Sequence, residues 1–179
     1  KNAAARLDFE AAALLRDKLK AIEKLDEKQK ILKGGDKTDR DIAAAASEDN
    51  IAFAEIFFVR GGKITGREAY EINNTEGMSD AEILGDFVKQ FYSSAASIPS
   101  ELLLEREISD MDLLESFLKQ KRGGAFKIYV PERGEKARLL EMVRKNAELE
   151  IENYKIRKIR EEKNHVLEDL QKTLSLEKL

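Results

Sequence analysis

The sequence has no cysteine and no tryptophan, only two prolines, and a single histidine among its 179 residues. Without cysteine, neither a disulfide framework nor a thiolate zinc site can form, and a reducing compartment fits. No apolar run approaches the roughly 18 residues needed to cross a bilayer. The opening KNAAARLDFE also lacks the apolar segment of a signal peptide. The expectation is a soluble, cytoplasmic chain with no membrane contact. His165 stands alone in a charged stretch, so it reads as a solvent-facing side chain and not as a metal ligand or base. No catalytic triad assembles around it, and no Gly-rich loop of the Walker type is present.

Aromatic residues make up only 7% of the chain, against 42% hydrophobic and 37% charged residues, a composition of long solvated helices around a modest core. The net charge of −3 hides a polarity. Residues 119–163 carry 14 Lys and Arg against 8 Asp and Glu, whereas residues 1–118 carry 16 against 24. The C-terminal part can therefore offer a basic surface to nucleic acid, or simply a solvated helix face.

Residues 41–46, 52–60 and 63–70 read as three strands, with Gly61 and Gly62 supplying a tight hairpin turn between the second and third. Ser79 and Glu82 form a capping box ahead of a helix whose stripe is Ile83, Leu84, Phe87, Val88, Phe91 and Tyr92 and which ends before Ser94. Residues 101–104 form a short strand after Pro99. Asp110 opens a helix that Gly123 and Gly124 close, residues 125–130 are a fifth strand stopped by Pro131, and a long helix starts near Glu135. From residue 150 onward there is no Gly or Pro, which gives a long helix or a helical hairpin. The fold class is α/β, in the order β-β-β-α-β-α-β-α, with a mixed sheet whose later strands run parallel and whose faces helices cover. That order is also the order of RNase H-like folds, and a degenerate copy of one is allowed by it.

At the N-terminal end, residues 5–25 combine a helix start with a narrow face of small residues. Asp8 can cap a helix in which Ala11, Ala12, Leu15, Leu19 and Ile22 recur at three-to-four-residue spacing. About 16 residues of isolated helix are marginal in water, so this stripe needs a partner. Gly34 and Gly35 end the segment and open a flexible joint. The organisation expected is a docking helix over 1–32, a linker over 33–40, a central α/β domain over 41–150 and a helical extension over 151–179.

Leu7, Asp8, Phe9 and Glu10, then Ala12 and Ala13, then Leu15, Arg16 and Asp17 resemble the UVR motif of the excinuclease subunits UvrB and UvrC and of some chaperone-associated proteins. The stretches DIAAAASEDNIAFAEIFFVRGGKITGREAY, FVKQFYSS, IPSELLL and PERGEKARLLEMVRKNA look, in that order and spacing, like the central region of the UvrC family. The resemblance implies a DNA-repair endonuclease subunit. In the family a GIY-YIG nuclease domain precedes this region, and an RNase H-like nuclease domain with helix-hairpin-helix modules follows it. This stretch would then be a non-catalytic connector, lacking both cutting domains and needing no cofactor. The resemblance also implies UvrB as partner, with Leu7, Phe9, Ala12, Leu15, Arg16 and Leu19 at the contact.

Two other sets of residues carry chemistry. Asp41, at the start of the first strand, and Glu105, after the fourth, are the acids on which a metal-dependent nuclease of RNase H type would be built. They form the rival to a connector, as does an adaptor binding a chaperone or kinase. Arg133, Lys136, Arg138, Arg144 and Lys145 lie at and beyond a helix entrance, where DNA phosphates are favoured. Gly61 and Gly62 are explained by the turn, and Phe57, Phe58, Phe87, Phe91 and Tyr92 by core packing rather than base stacking.

Overall fold

The computed structural model describes residues 37–173. Its first strand, β1 (Arg40–Glu48), is the middle of a five-stranded sheet ordered β3-β2-β1-β4-β5. A middle strand buried on both faces cannot alternate polar with apolar. Accordingly, all but the last two of its nine residues are buried. β2 (Ile51–Arg60) pairs antiparallel with β1 and with β3 (Lys63–Ile72). Gly61 and Gly62 turn the β2–β3 hairpin with φ of 57° and 77°, the left-handed pair that such a two-residue turn demands. β4 (Glu101–Leu104) and β5 (Lys127–Tyr129) run parallel to β1. The expected mixed sheet is therefore found, with its antiparallel half first and its parallel half second.

Each face of the sheet has its own core. Ala43, Ala45, Ala52, Ala54, Ile56, Leu102 and Leu104 pack against helix α1 (Asp80–Ser94) and helix α2 (Met111–Arg122). Ile42, Ala44, Phe57, Val59 and Leu103 meet Leu139, Leu140, Met142 and Val143 of the third helix, α3 (Glu135–Thr173). A smaller group of Ala46, Phe53, Ala147 and Ile151 continues that contact toward the far end of β1. Successive β1 side chains thus go to opposite cores, as the two-residue period of a strand requires.

The local signals decide the ends. Ser79 accepts a bond from the Glu82 amide, and the Glu82 carboxylate accepts from the Ser79 amide at 2.8 Å, completing the capping box. Those bonds hold the Glu82 carboxyl below its ordinary range. Gly123 ends α2 in the left-handed region. The fifth strand is shorter than the expected residues 125–130, because only Lys127, Ile128 and Tyr129 find β4 partners. The first helix includes Ser94, one residue later than expected.

α3 is one continuous helix and not a hairpin. It crosses the expected 150/151 boundary without interruption. Its 39 residues span roughly 58 Å at 1.5 Å per residue. Leu139, Leu140, Val143, Ala147 and Ile151 recur at helical spacing against the sheet, and Tyr154 is partly buried beyond them. After Tyr154 the described side chains become exposed, with Ile156 at 42%, Ile159 at 53% and Val166 at 57%. About half of the helix therefore projects past the sheet.

Leu103 is fully buried between β1, β5 and α3. Leu103→Ala should lower unfolding free energy by about 2–5 kcal/mol, lost transfer plus cavity, with an unchanged urea m-value. An effect below about 1 kcal/mol would mean that this core is not packed as described.

Candidate functional site

Asp41 is the second residue of β1 and is 1% exposed. Its Oδ1 accepts from Arg60 Nη1 at 2.7 Å, and its Oδ2 accepts from the Tyr92 hydroxyl at 2.6 Å. Burial pushes the Asp41 carboxyl above its ordinary value, and the Tyr92 and Arg60 bonds pull it partly back. Burial beside that carboxylate holds the Tyr92 phenol well above its own. Arg60 Nη1 also donates to the carbonyls of Arg40 and Val59, at 3.0 and 2.9 Å. Both Asp41 oxygens are thus engaged in tying β1, β2 and α1 together, and neither is presented to a ligand.

Glu105 lies one residue past β4, where its Oε1 accepts from the Ala45 amide at 3.2 Å. Arg106 is 3.3 Å away, and Arg144 of α3 is 3.9 Å away. Its carboxyl is raised by burial, with the Ala45 amide and the two arginines opposing. The parallel register sets Asp41 beside Leu102 and Ala43 beside Leu104. Glu105 is therefore displaced from Asp41 by roughly 10 Å along the strands. Asp41 faces α1 and Glu105 meets α3, so the sheet itself separates them. The two acids that a nuclease would need together are not brought together. Where acids of such a site would gather, the middle of β1 carries Ala43, Ala44, Ala45 and Ala46. Among the described residues, no group of three or more His, Asp or Glu is placed to hold a metal ion.

A third acid escaped sequence reasoning. Glu55 sits in the centre of β2, paired with Ala44 in the ladder and only 1% exposed. Neither of its oxygens accepts a hydrogen bond among the described residues. Arg67 of β3 is 3.6 Å away, and that guanidinium donates to Asn146 of α3 at 2.8 Å. Burial lifts the Glu55 carboxyl to about 7, with Arg67 lowering it and Glu150 raising it. The signal was present as a single charge inside the apolar run IAFAEIFFV.

The basic residues expected at DNA divide into two groups. Lys136 is committed inside the chain, with Nζ 2.9 Å from Glu101 and 4.4 Å from the Tyr129 ring centre. Arg144 pairs with Glu148 at 3.2 Å and Lys145 with Glu141 at 2.7 Å, both one turn apart on the exposed face of α3. Arg133 and Arg138 are exposed around the first turn of α3. The five do not converge on one cleft. The described cleft of about 410 Å³ is lined instead by Ala95, Ala96, Ser97, Ile98, Lys121 and Arg122. There Lys121 Nζ is held by the carbonyls of Tyr92 and Ser93 and Arg122 by that of Ala125.

The aromatic residues read as core behave so: Phe57, Phe87 and Tyr92 are buried, and Phe58 and Phe91 pack partly buried against the α1 core. Leu7, Phe9, Ala12, Leu15, Arg16 and Leu19 lie outside the described residues, as does the side chain of His165.

With this geometry in place, sequence comparison is decisive. The family described as UvrC Ribonuclease H-like domain matches residues 39–154, which are the sheet, its helices and the packed part of α3. The chain belongs to the UvrC family. A second match, to the UvrB/uvrC motif, covers residues 1–25. Among curated UvrC relatives, the UvrABC system protein C of Caldanaerobacter subterraneus is 49% identical over 82% of this chain and 24% of its own length. Its namesake from Acetivibrio thermocellus is 41% identical over 100% and 29%, and that from Clostridioides difficile 43% identical over 96% and 29%. The chain thus spans 24 to 29% of the length of these relatives. Among solved structures, a Bacteroides thetaiotaomicron protein with an actin-like ATPase fold is similar at 19% identity and a TM-score of 0.33, over 65% of this chain and 42% of that one. So slight a likeness carries no weight. The RNase H-like architecture suggested by element order is what the family description names; a domain of that description, which the resemblance set after this stretch, is matched within it at 39–154.

The Asp41 network makes a stability prediction. Asp41→Ala would strand the buried Tyr92 hydroxyl and part of the Arg60 guanidinium, with an expected loss of about 3 kcal/mol. Tyr92→Phe should cost about 1 kcal/mol. Chemical denaturation of both variants reads this, and a neutral Asp41→Ala would remove the structural role assigned here.

Proposed function

We propose that this chain is the docking and scaffold region of a UvrC-like nucleotide excision repair subunit, binding UvrB through its first 25 residues and taking no part itself in bond cleavage. The observation that carries the non-catalytic half is the fate of the acids: Asp41 is sealed by Arg60 and Tyr92, and Glu105 stands on the other side of the sheet. The docking half rests on the UvrB/uvrC motif match, together with an apolar stripe in residues 5–25 that is too short to be stable unpartnered. Work on DNA in the cytoplasm is part of the same proposal, and no described helix is long and apolar enough to cross a membrane.

A second reading adds a weak DNA contact at the start of α3. It is favoured by the exposure of Arg133 and Arg138, while Lys136, Arg144 and Lys145 already hold acids of their own chain. Phosphate contacts of this kind are indifferent to sequence and steeply salt-dependent. Reversing Arg133 and Arg138 should flatten the salt slope by roughly one unit per lost contact in fluorescence anisotropy. Binding untouched by both reversals would leave these side chains as ordinary helix surface.

Two measurements test the main proposal. With magnesium or manganese, the purified chain should leave damaged and undamaged duplexes uncut; cutting that copurifies with the chain and is lost in Asp41→Asn would overturn the scaffold reading. In calorimetry against UvrB, Phe9→Ala combined with Leu15→Ala should weaken binding by at least roughly thirty-fold, as for buried apolar anchors, with an unchanged melt of the sheet domain. Equal affinity would move the docking surface elsewhere.

A further inference from the structure

Helix α2 buries Leu114 and Leu118 against the sheet, yet its outer side carries Leu113 at 74% exposure and Phe117 at 49%. These two are one turn apart and form a single apolar patch. Asp110 and Asp112 stand at the N-terminal end of the helix, and Lys119, Lys121 and Arg122 in its last turn. Asp110 pairs with Lys89 at 3.5 Å, and Lys121 and Arg122 donate to backbone carbonyls, so the patch is bracketed chiefly by Asp112 at one end and Lys119 at the other.

The chain enters the fold beside the positive end. Asp39 accepts from the Ser100 and Glu101 amides at 3.1 and 3.3 Å, at the start of β4. β5 starts at the same edge, where the Lys127 amide bonds Ser100 at 3.1 Å, and α2 leads into β5 through Gly123 and Gly124. Lys121 Nζ also reaches the carbonyls of Tyr92 and Ser93, and Tyr92 bonds Asp41 near the start of β1. Thirty-six residues precede the described chain at this corner, and their sequence contains the apolar stripe of Leu15, Leu19 and Ile22.

We propose that, in the absence of a partner, residues 8–27 dock as a helix along the outer side of α2, covering Leu113 and Phe117, so that the UVR segment is held by its own domain until a partner displaces it. Both helices then run toward the entry corner and lie parallel. In that alignment residues 16–20, with three bases against Asp17, come beside the acidic end of α2, and residues 23–27, with three acids against Lys24, beside the basic end. Residues 28–38, extended at about 3.3 Å each, cover more than the 18 Å length of a 12-residue helix, so the connection closes. Burying one stripe against one patch removes two exposed apolar surfaces at once.

The proposal rests on the docking-helix reading of residues 1–25, and one experiment separates the two. Hydrogen exchange of the 179-residue chain, read by mass spectrometry without UvrB, should show residues 8–25 protected by at least roughly ten-fold over a free peptide of residues 1–32, independent of protein concentration. Leu113→Ser with Phe117→Ser should return them to the peptide rate while β1 and β2 exchange as before. Free-peptide rates in the native chain, or protection unmoved by the double substitution, would overturn the self-contact. Protection that rises with concentration would overturn it in favour of a second copy. UvrB binding to a chain whose segment exchanges freely leaves the docking reading standing and removes this one. A protected segment that does not bind UvrB does the reverse.

Discussion

The run of four alanines in β1 is the constraint on which the rest of the structure depends. A strand in the middle of a sheet with helices on both faces must bury every side chain, and in residues 43–46 each of those side chains is a single methyl. Small residues there let α1 on one face and α3 on the other approach the backbone closely, while the larger side chains of β2 and β4 fill the space at either side. Phe57 and Leu103 flank Ile42 on the α3 face, where Ala44 stands opposite Glu55, and Ile56 and Leu104 flank Ala43 on the α1 face. The same choice leaves β1 without an acid in its middle, and the buried carboxyl nearest to it is Glu55 of β2, opposite Ala44.

The element order was legible because its signals are local. The glycine pair at 61 and 62, the capping box at Ser79 and Glu82, and the glycine after Arg122 act within a few residues, and each ends or starts an element where expected. Strand β5 was overestimated because its length is set by pairing with β4, of whose four residues only Glu101, Leu102 and Leu103 find β5 partners, and that is not a property of its own sequence. The continuity of α3 past residue 150 could not be separated from a hairpin, since its charged middle, KIRKIREEK, has neither a breaker nor a clear face.

The candidate sites were less legible, for a physical reason. Asp41 and Glu105 were identified correctly as acids near strand ends, but which face each points to follows from register, and register is a long-range property. Their partners Arg60, Tyr92 and Arg144 come from up to 51 residues away in the chain, so no spacing motif announces them. Glu55 was the opposite case, since a lone charge in an apolar strand was visible but its meaning was not. Its two unbonded oxygens under α3 show that this domain tolerates a buried carboxyl which the Arg67 guanidinium only partly compensates.

The length of α3 has a mechanical consequence. One side of its first five turns is fastened to the sheet, and the 19 residues after Tyr154 continue on the same axis for roughly 28 Å. Such a rod is a lever whose fulcrum is the alanine-lined face of β1. A tilt of ten degrees at the fastened end would carry the tip sideways by roughly 5 Å, about one helical turn's rise. Small repacking between Ala147, Ile151 and the end of β1 is therefore converted into a displacement large enough to be felt by anything joined to the far end.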